Sequence, residues 1–92
     1  MSLLTDFQIQ NLLKNLTDWE YIDNSIQKTY VFTSYMDSIE FINRLAEKAE
    51  ATNHHPDIIV GWRKVKLSFT SHDKGGVTSS CIEMAIQADL VL

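Results

Sequence analysis

Apolar residues recur along this chain in two rhythms, every three to four positions in three stretches and every second position in others, with short polar breaks between. Thr5 is placed to cap a first helix, with Gln8 as capping-box partner and Leu4 and Ile9 as a hydrophobic staple. Ile9, Leu12, Leu13 and Leu16 then keep helical spacing, which predicts a helix over roughly 6–15. Trp19 to Ile22 reads as a strand, Asp23-Asn24-Ser25 as a turn, and Ile26 to Phe32 as a second strand. Ile26, Lys28, Tyr30 and Phe32 share one face of it. Ser34, with Asp37 in the box position, opens the longest periodic stretch. Tyr35, Ile39, Ile42, Ala46 and Ala49 form its stripe, widened by Leu45, to about Thr52. Phe41 falls on the flank of that stripe and is a candidate for subunit contact. Beyond Pro56, Ile58-Ile59-Val60 is a short strand, and Val65, Leu67 and Phe69 alternate with polar residues up to Thr70. A loop over 71–76 carries Gly75 and Gly76. Thr78 is then placed to cap a last helix that buries Ile82, Ala85, Ile86 and Leu90, with Val77 and Ile82 as its staple.

The predicted order is α-β-β-α-β-β-α. Paired strands separated by helices point to an α+β fold, a four-stranded antiparallel sheet with three helices on one face. Ninety-two residues with 45% hydrophobic and 22% charged side chains fit one domain over 1–92. A net charge of −4 argues against nucleic acid as a direct partner, since phosphate binding needs a clustered basic surface. No stretch is apolar for long enough to span a membrane, none reads as a signal peptide, and the single cysteine, Cys81, excludes an internal disulfide. The expectation is a cytoplasmic protein. A chain this short also gains buried surface by self-association.

All three histidines fall within nineteen positions, His54 to His72. Histidine is the side chain that exchanges a proton near neutral pH. Pro56 disfavours helical backbone at His55, so the long helix should stop there and the rings of His54 and His55 should diverge. Glu50 lies one helical turn before His54, and both this carboxylate and the helix end would favour a protonated His54. His72, on a loop beside Asp73, would more easily stay neutral. A raised and an unraised histidine facing one hollow would make an acid and a base. The residues alone leave other readings open. They include unremarkable surface histidines, a three-histidine metal site, which diverging rings make awkward, and a nucleophile at Cys81, which has no histidine near it in sequence.

Glu50, His54-His55-Pro56, Trp62 and His72, at these spacings, resemble the pterin-4a-carbinolamine dehydratases over about Leu4 to Leu90, nearly the whole chain. Trp19, the Phe41 region and Asp73 before Gly75-Gly76 also fit. One position departs: the family usually carries an acid nine residues after the loop histidine, and here that residue is Cys81. The resemblance implies a dehydratase that removes water from 4a-hydroxytetrahydropterin to give quinonoid dihydropterin in pterin recycling. It implies no metal and no cofactor. Carried over by position, His54 and His72 would be the acid–base pair, with His54 the likelier acid from its helix end, and His55 would orient the pterin. Asn53, Pro56, Thr70, Ser71 and Asp73 would line the site, Trp19 would wall it, and Glu50 would support it. The resemblance further implies a homodimer or a dimer of dimers. Its animal members also act as dimerisation cofactors for a homeodomain transcription factor, so a non-catalytic interaction module working through the helical surface around Phe41 is the competing expectation.

Overall fold

The computed structural model describes residues 2–92. Its elements follow the predicted order: α1 (Asp6–Leu13), β1 (Glu20–Ile22), β2 (Ser25–Val31), α2 (Tyr35–Thr52), β3 (Asp57–Val60), β4 (Lys64–Phe69) and α3 (Ser79–Leu90). The strands form one sheet in the order β1-β2-β4-β3, and every neighbouring pair is antiparallel. In β4 the alternation is complete: Val65, Leu67 and Phe69 are buried, while Lys64, Lys66 and Ser68 are not. The helices cover the buried face, where Ile9 and Leu13 of α1, Leu45 and Ala49 of α2, and Met84, Ala85 and Ala88 of α3 meet Ile26, Tyr30 and the inner side chains of β4. No helix among the described residues is long and apolar enough to cross a membrane.

The caps act as the sequence suggests at two helices. Thr5 accepts from the Gln8 amide while the Gln8 side chain returns to the Thr5 amide, and Ser34 accepts from the Asp37 amide. The β1–β2 turn is tighter than expected. Asp23 and Asn24 both take positive φ (49° and 63°), as a two-residue type I′ hairpin turn requires, and Ser25 already pairs with Ile22.

Two helices are rotated from their predicted faces. On α2 the buried line is Ser38, Phe41, Leu45 and Ala49, while Tyr35 and Ala46 are exposed. Phe41 is therefore not a flank residue available to a partner. It is fully buried, with ring centroids 4.7 Å from Tyr30 and 5.3 Å from Phe32, and its aromatic area outweighs that of Ala46 in setting which side faces the sheet. On α3 the buried set is Cys81, Ile82, Met84, Ala85 and Ala88, and Leu90 faces out.

Trp19 does not wall a site. It is buried just before β1, 6.0 Å from the Phe69 ring, and its indole N–H donates to Asp89 at 3.1 Å. The same carboxylate accepts from Lys28 Nζ at 2.8 Å and from the Tyr30 hydroxyl. Lys28 thus lies on the inner face of β2 with its charge matched. Burial and the adjacent Asp89 both push the Tyr30 phenol upward.

Candidate functional site

The site is built on two connections that the sheet brings together. Helix α2 ends at Asn53, whose left-handed backbone (φ 52°, ψ 42°) forms the helix C-cap. The Asn53 amide donates back to the carbonyls of Ala49 and Glu50, and the His54 amide donates to Ala49. This cap turns the chain out of the helix one residue before His54. The i, i+4 relation between Glu50 and His54 is therefore broken, and the carboxylate of Glu50 instead pairs with Nε2 of His55. The two neighbouring rings do diverge, as Pro56 requires. His55 lies out with Glu50, and His54 turns inward, its ring stacked on Phe69 with centroids 6.1 Å apart and planes 13° from parallel. Pro56 itself lies between the pair and β3.

The second connection follows β4. Ser71 and Gly76 pair across it, and the Ser71 carbonyl accepts from the amides of Lys74, Gly75 and Gly76. From outside, the β1–β2 turn holds it: the Asn24 amide side chain donates to the Gly75 carbonyl, and the Thr70 hydroxyl donates to the Asn24 carbonyl at 2.9 Å. A side chain at Gly76 would meet the ends of the Asn24 and Leu3 side chains at 2.9 Å and 3.0 Å, which would have to move aside. His72 and Asp73 are exposed at the tip.

Between the connections lies an open hollow of about 260 Å³, lined by Asn53, His54, His55, Thr70, Ser71, His72 and Asp73. All three histidines face it. Of the expected site residues, Trp19 and Pro56 are not among its lining, and Glu50 reaches it only through His55. The apolar wall expected of Trp19 is absent from the hollow, and Phe69, stacked on the His54 ring, is itself fully buried.

His54 departs from expectation in its electrostatics. Partial burial, the largest influence, lowers its pKa from 6.5; Asp73 opposes this, while His55 and His72 add to the lowering. The ring is thus biased toward its neutral form, the reverse of what a helix end and Glu50 would produce. Its Nε2 lies 3.5 Å from the sulfur of Cys81, so the histidine that Cys81 lacks in sequence stands beside it in space. The signal available for this contact was the predicted first turn of the last helix, but only the tertiary fold directs it at His54. A second groove, of about 490 Å³, lies between α2 and α3 on the far side of His54. Among the described residues no three His, Cys, Asp or Glu side chains are grouped to hold a metal ion.

The sequence matches the family model described as Pterin 4 alpha carbinolamine dehydratase over residues 2–91. It is 43% identical over 89 residues to a Roseiflexus sp. protein, covering 97% of this chain and 96% of that one. It is 42% identical over 82 residues to a Picosynechococcus sp. protein, covering 89% of each. Both relatives bear the provisional name pterin-4-alpha-carbinolamine dehydratase. Among solved structures, a transcriptional coactivator/pterin dehydratase from Brucella melitensis superposes with a TM-score of 0.92 at 26% identity over 96% of each chain. A pterin dehydratase-like protein identified as a RuBisCO assembly factor in the alpha-carboxysome shares the fold (TM-score 0.66, 22% identity, 79% of this chain and 84% of that one).

Proposed function

Because the chain belongs to the pterin 4 alpha carbinolamine dehydratase family, we propose that its hollow binds 4a-hydroxytetrahydropterin and removes water from it by histidine acid–base catalysis. The observation that carries this reading is the convergence of His54, His55, His72 and Asp73 on one small open hollow. The reaction breaks the C4a–O bond and forms a C=N bond to the neighbouring ring nitrogen. It needs a proton delivered to the departing hydroxyl and a proton accepted from that nitrogen. His54, biased toward its neutral form by burial, takes the nitrogen's proton, and His72 on the opposite connection delivers one to the hydroxyl. His55, fixed by Glu50, and Asn53 hold the ring edge. Thr70 offers its lone pairs only, since its hydroxyl proton is committed to Asn24. The product is the quinonoid dihydropterin, so the enzyme serves pterin recycling.

Stopped-flow dehydration of authentic 4a-hydroxytetrahydropterin tests the proposal. Wild-type protein should accelerate the reaction and His72→Ala should lose most of that acceleration while folding normally. Equal rates for the two proteins would refute it.

Assembly into dimers or pairs of dimers belongs to the same proposal. The edge strand β3 supports it, with Ile59 65% and Val60 46% exposed beside an unpaired sheet edge. A monomer by light scattering at micromolar concentration would refute it. The interaction-module reading loses its anchor, because Phe41 lies in the core.

A further inference from the structure

Behind His54 the fold buries three polar side chains: Ser71, which also borders the hollow, Thr78 and Cys81 are 6%, 1% and 0% exposed. Ser71 and Thr78 share a hydroxyl hydrogen bond of 2.7 Å, and the Cys81 sulfur stands 3.6 Å from the first oxygen and 3.9 Å from the second. Thr78 occupies the N-cap of α3 yet makes no side-chain capping bond, which an N-cap threonine ordinarily would. Its hydroxyl belongs to this cluster instead. The cluster meets His54 at Nε2, 3.5 Å from the sulfur.

We propose that Cys81 is a positioning residue for His54: its sulfur accepts the Nε2 proton, which leaves Nδ1 as the unprotonated nitrogen offered to the substrate. The thiol hydrogen has two hydroxyl oxygens to point at, so the sulfur lone pairs face the imidazole. A neutral imidazole carries one N–H, and the partner of one nitrogen decides the state of the other. Stacking on Phe69 fixes the ring plane, and the sulfur fixes its rotation within that plane. A carboxylate here, which the family pattern would supply, would also accept from Nε2. It would in addition place a negative charge against the ring and favour its protonated form. The thiol orients without charging. Asp73 and His72 on the loop, His55 next in sequence, and Lys48 and Glu83 across the α2–α3 groove are the other titratable groups around His54, and none of them changes in a Cys81 variant.

The catalytic part of this inference rests on the dehydratase reading; the structural part does not. Long-range 1H–15N NMR of the histidine rings, on the full chain without ligand, reports the tautomer and the titration of His54. The Nε2–H tautomer is expected in wild-type protein and in Cys81→Ser, and a mixture of tautomers in Cys81→Ala. Cys81→Asp should raise the His54 midpoint by about one unit or more and move the acid limb of kcat/KM upward with it. Cys81→Ala should lose roughly tenfold in kcat with little change in KM, well short of the ~10²–10⁴ of a proton-transfer residue. An Nδ1–H tautomer in wild-type protein, or a His54 titration indifferent to Cys81→Asp, overturns the proposal. If Cys81→Asp does not fold, the tautomers of the serine and alanine variants decide. Wild-type protein that dehydrates no pterin would sink the dehydratase reading and leave the NMR outcomes to judge the pair alone.

Discussion

Two polar clusters in this small protein follow opposite rules. Around Asp89, three donors from Trp19, Lys28 and Tyr30 converge on one carboxylate at the edge of the core, and each has its partner. Around His54 the groups come from connections, His55, His72 and Asp73 are exposed, and the hollow between them is open. A polar cluster whose members satisfy one another holds the fold and has nothing left to give a ligand. One that leaves donors and acceptors facing a cavity has chemistry to spare. The contrast separates a structural carboxylate from imidazoles that face a cavity, without reference to any relative.

The comparison can be broken by substitution. His72→Ala should lower kcat by ~10²–10⁴ with an unchanged melting temperature, read by stopped-flow and thermal denaturation. Asp89→Ala should do the opposite. It leaves the Lys28 charge and the Tyr30 hydroxyl unmatched at a cost of about 3 kcal/mol, a fall in Tm of roughly 10–20 °C, while kcat per folded molecule holds. If Asp89→Ala left Tm intact, or His72→Ala lowered it as far, the division between the clusters would be wrong.

Glu50→Gln sharpens the picture on a smaller scale. It keeps an acceptor for His55 but removes the charge, and should cost only a few-fold in kcat/KM with no loss of stability, because both side chains are solvent-exposed. The smallest effect is on pH. The His54 pKa is lowered in the folded protein, so the unfolded chain binds the extra proton first as pH falls through 6.5. Stability should decline from that point downward until the native ring also protonates, and His54→Gln should flatten this part of a stability–pH curve.

Much of this was legible in the sequence. Period and capping residues located all seven elements to within a few positions, because each signal is local. The Asn24 turn was narrower than the polar run around it, since only two residues need positive φ. The misreadings share one cause. Spacing within one element places Phe41 and Leu90, and the resemblance alone places Trp19, whereas the bulk of the partner surface decides which side is buried. His54 was assigned to the helix face of Glu50, although Asn53 before it is itself a C-cap signal. Its left-handed turn redirects both histidines, handing the carboxylate to His55 and the buried thiol to His54. Cys81 had no sequence neighbour to suggest a role, and its contacts come from residues 3, 10 and 27 positions away.

The Ser71 carbonyl, with three amide hydrogens directed at it, has a consequence for motion. The loop tip that carries His72 is exposed to solvent but internally tied, so the amides of Lys74, Gly75 and Gly76 should resist deuterium exchange far longer than their accessibility suggests. A histidine on such a mount does not have to be gathered in when a ligand arrives. Turnover should then proceed without a closing segment, at a pace set by proton movement and by diffusion of the heterocycle in and out.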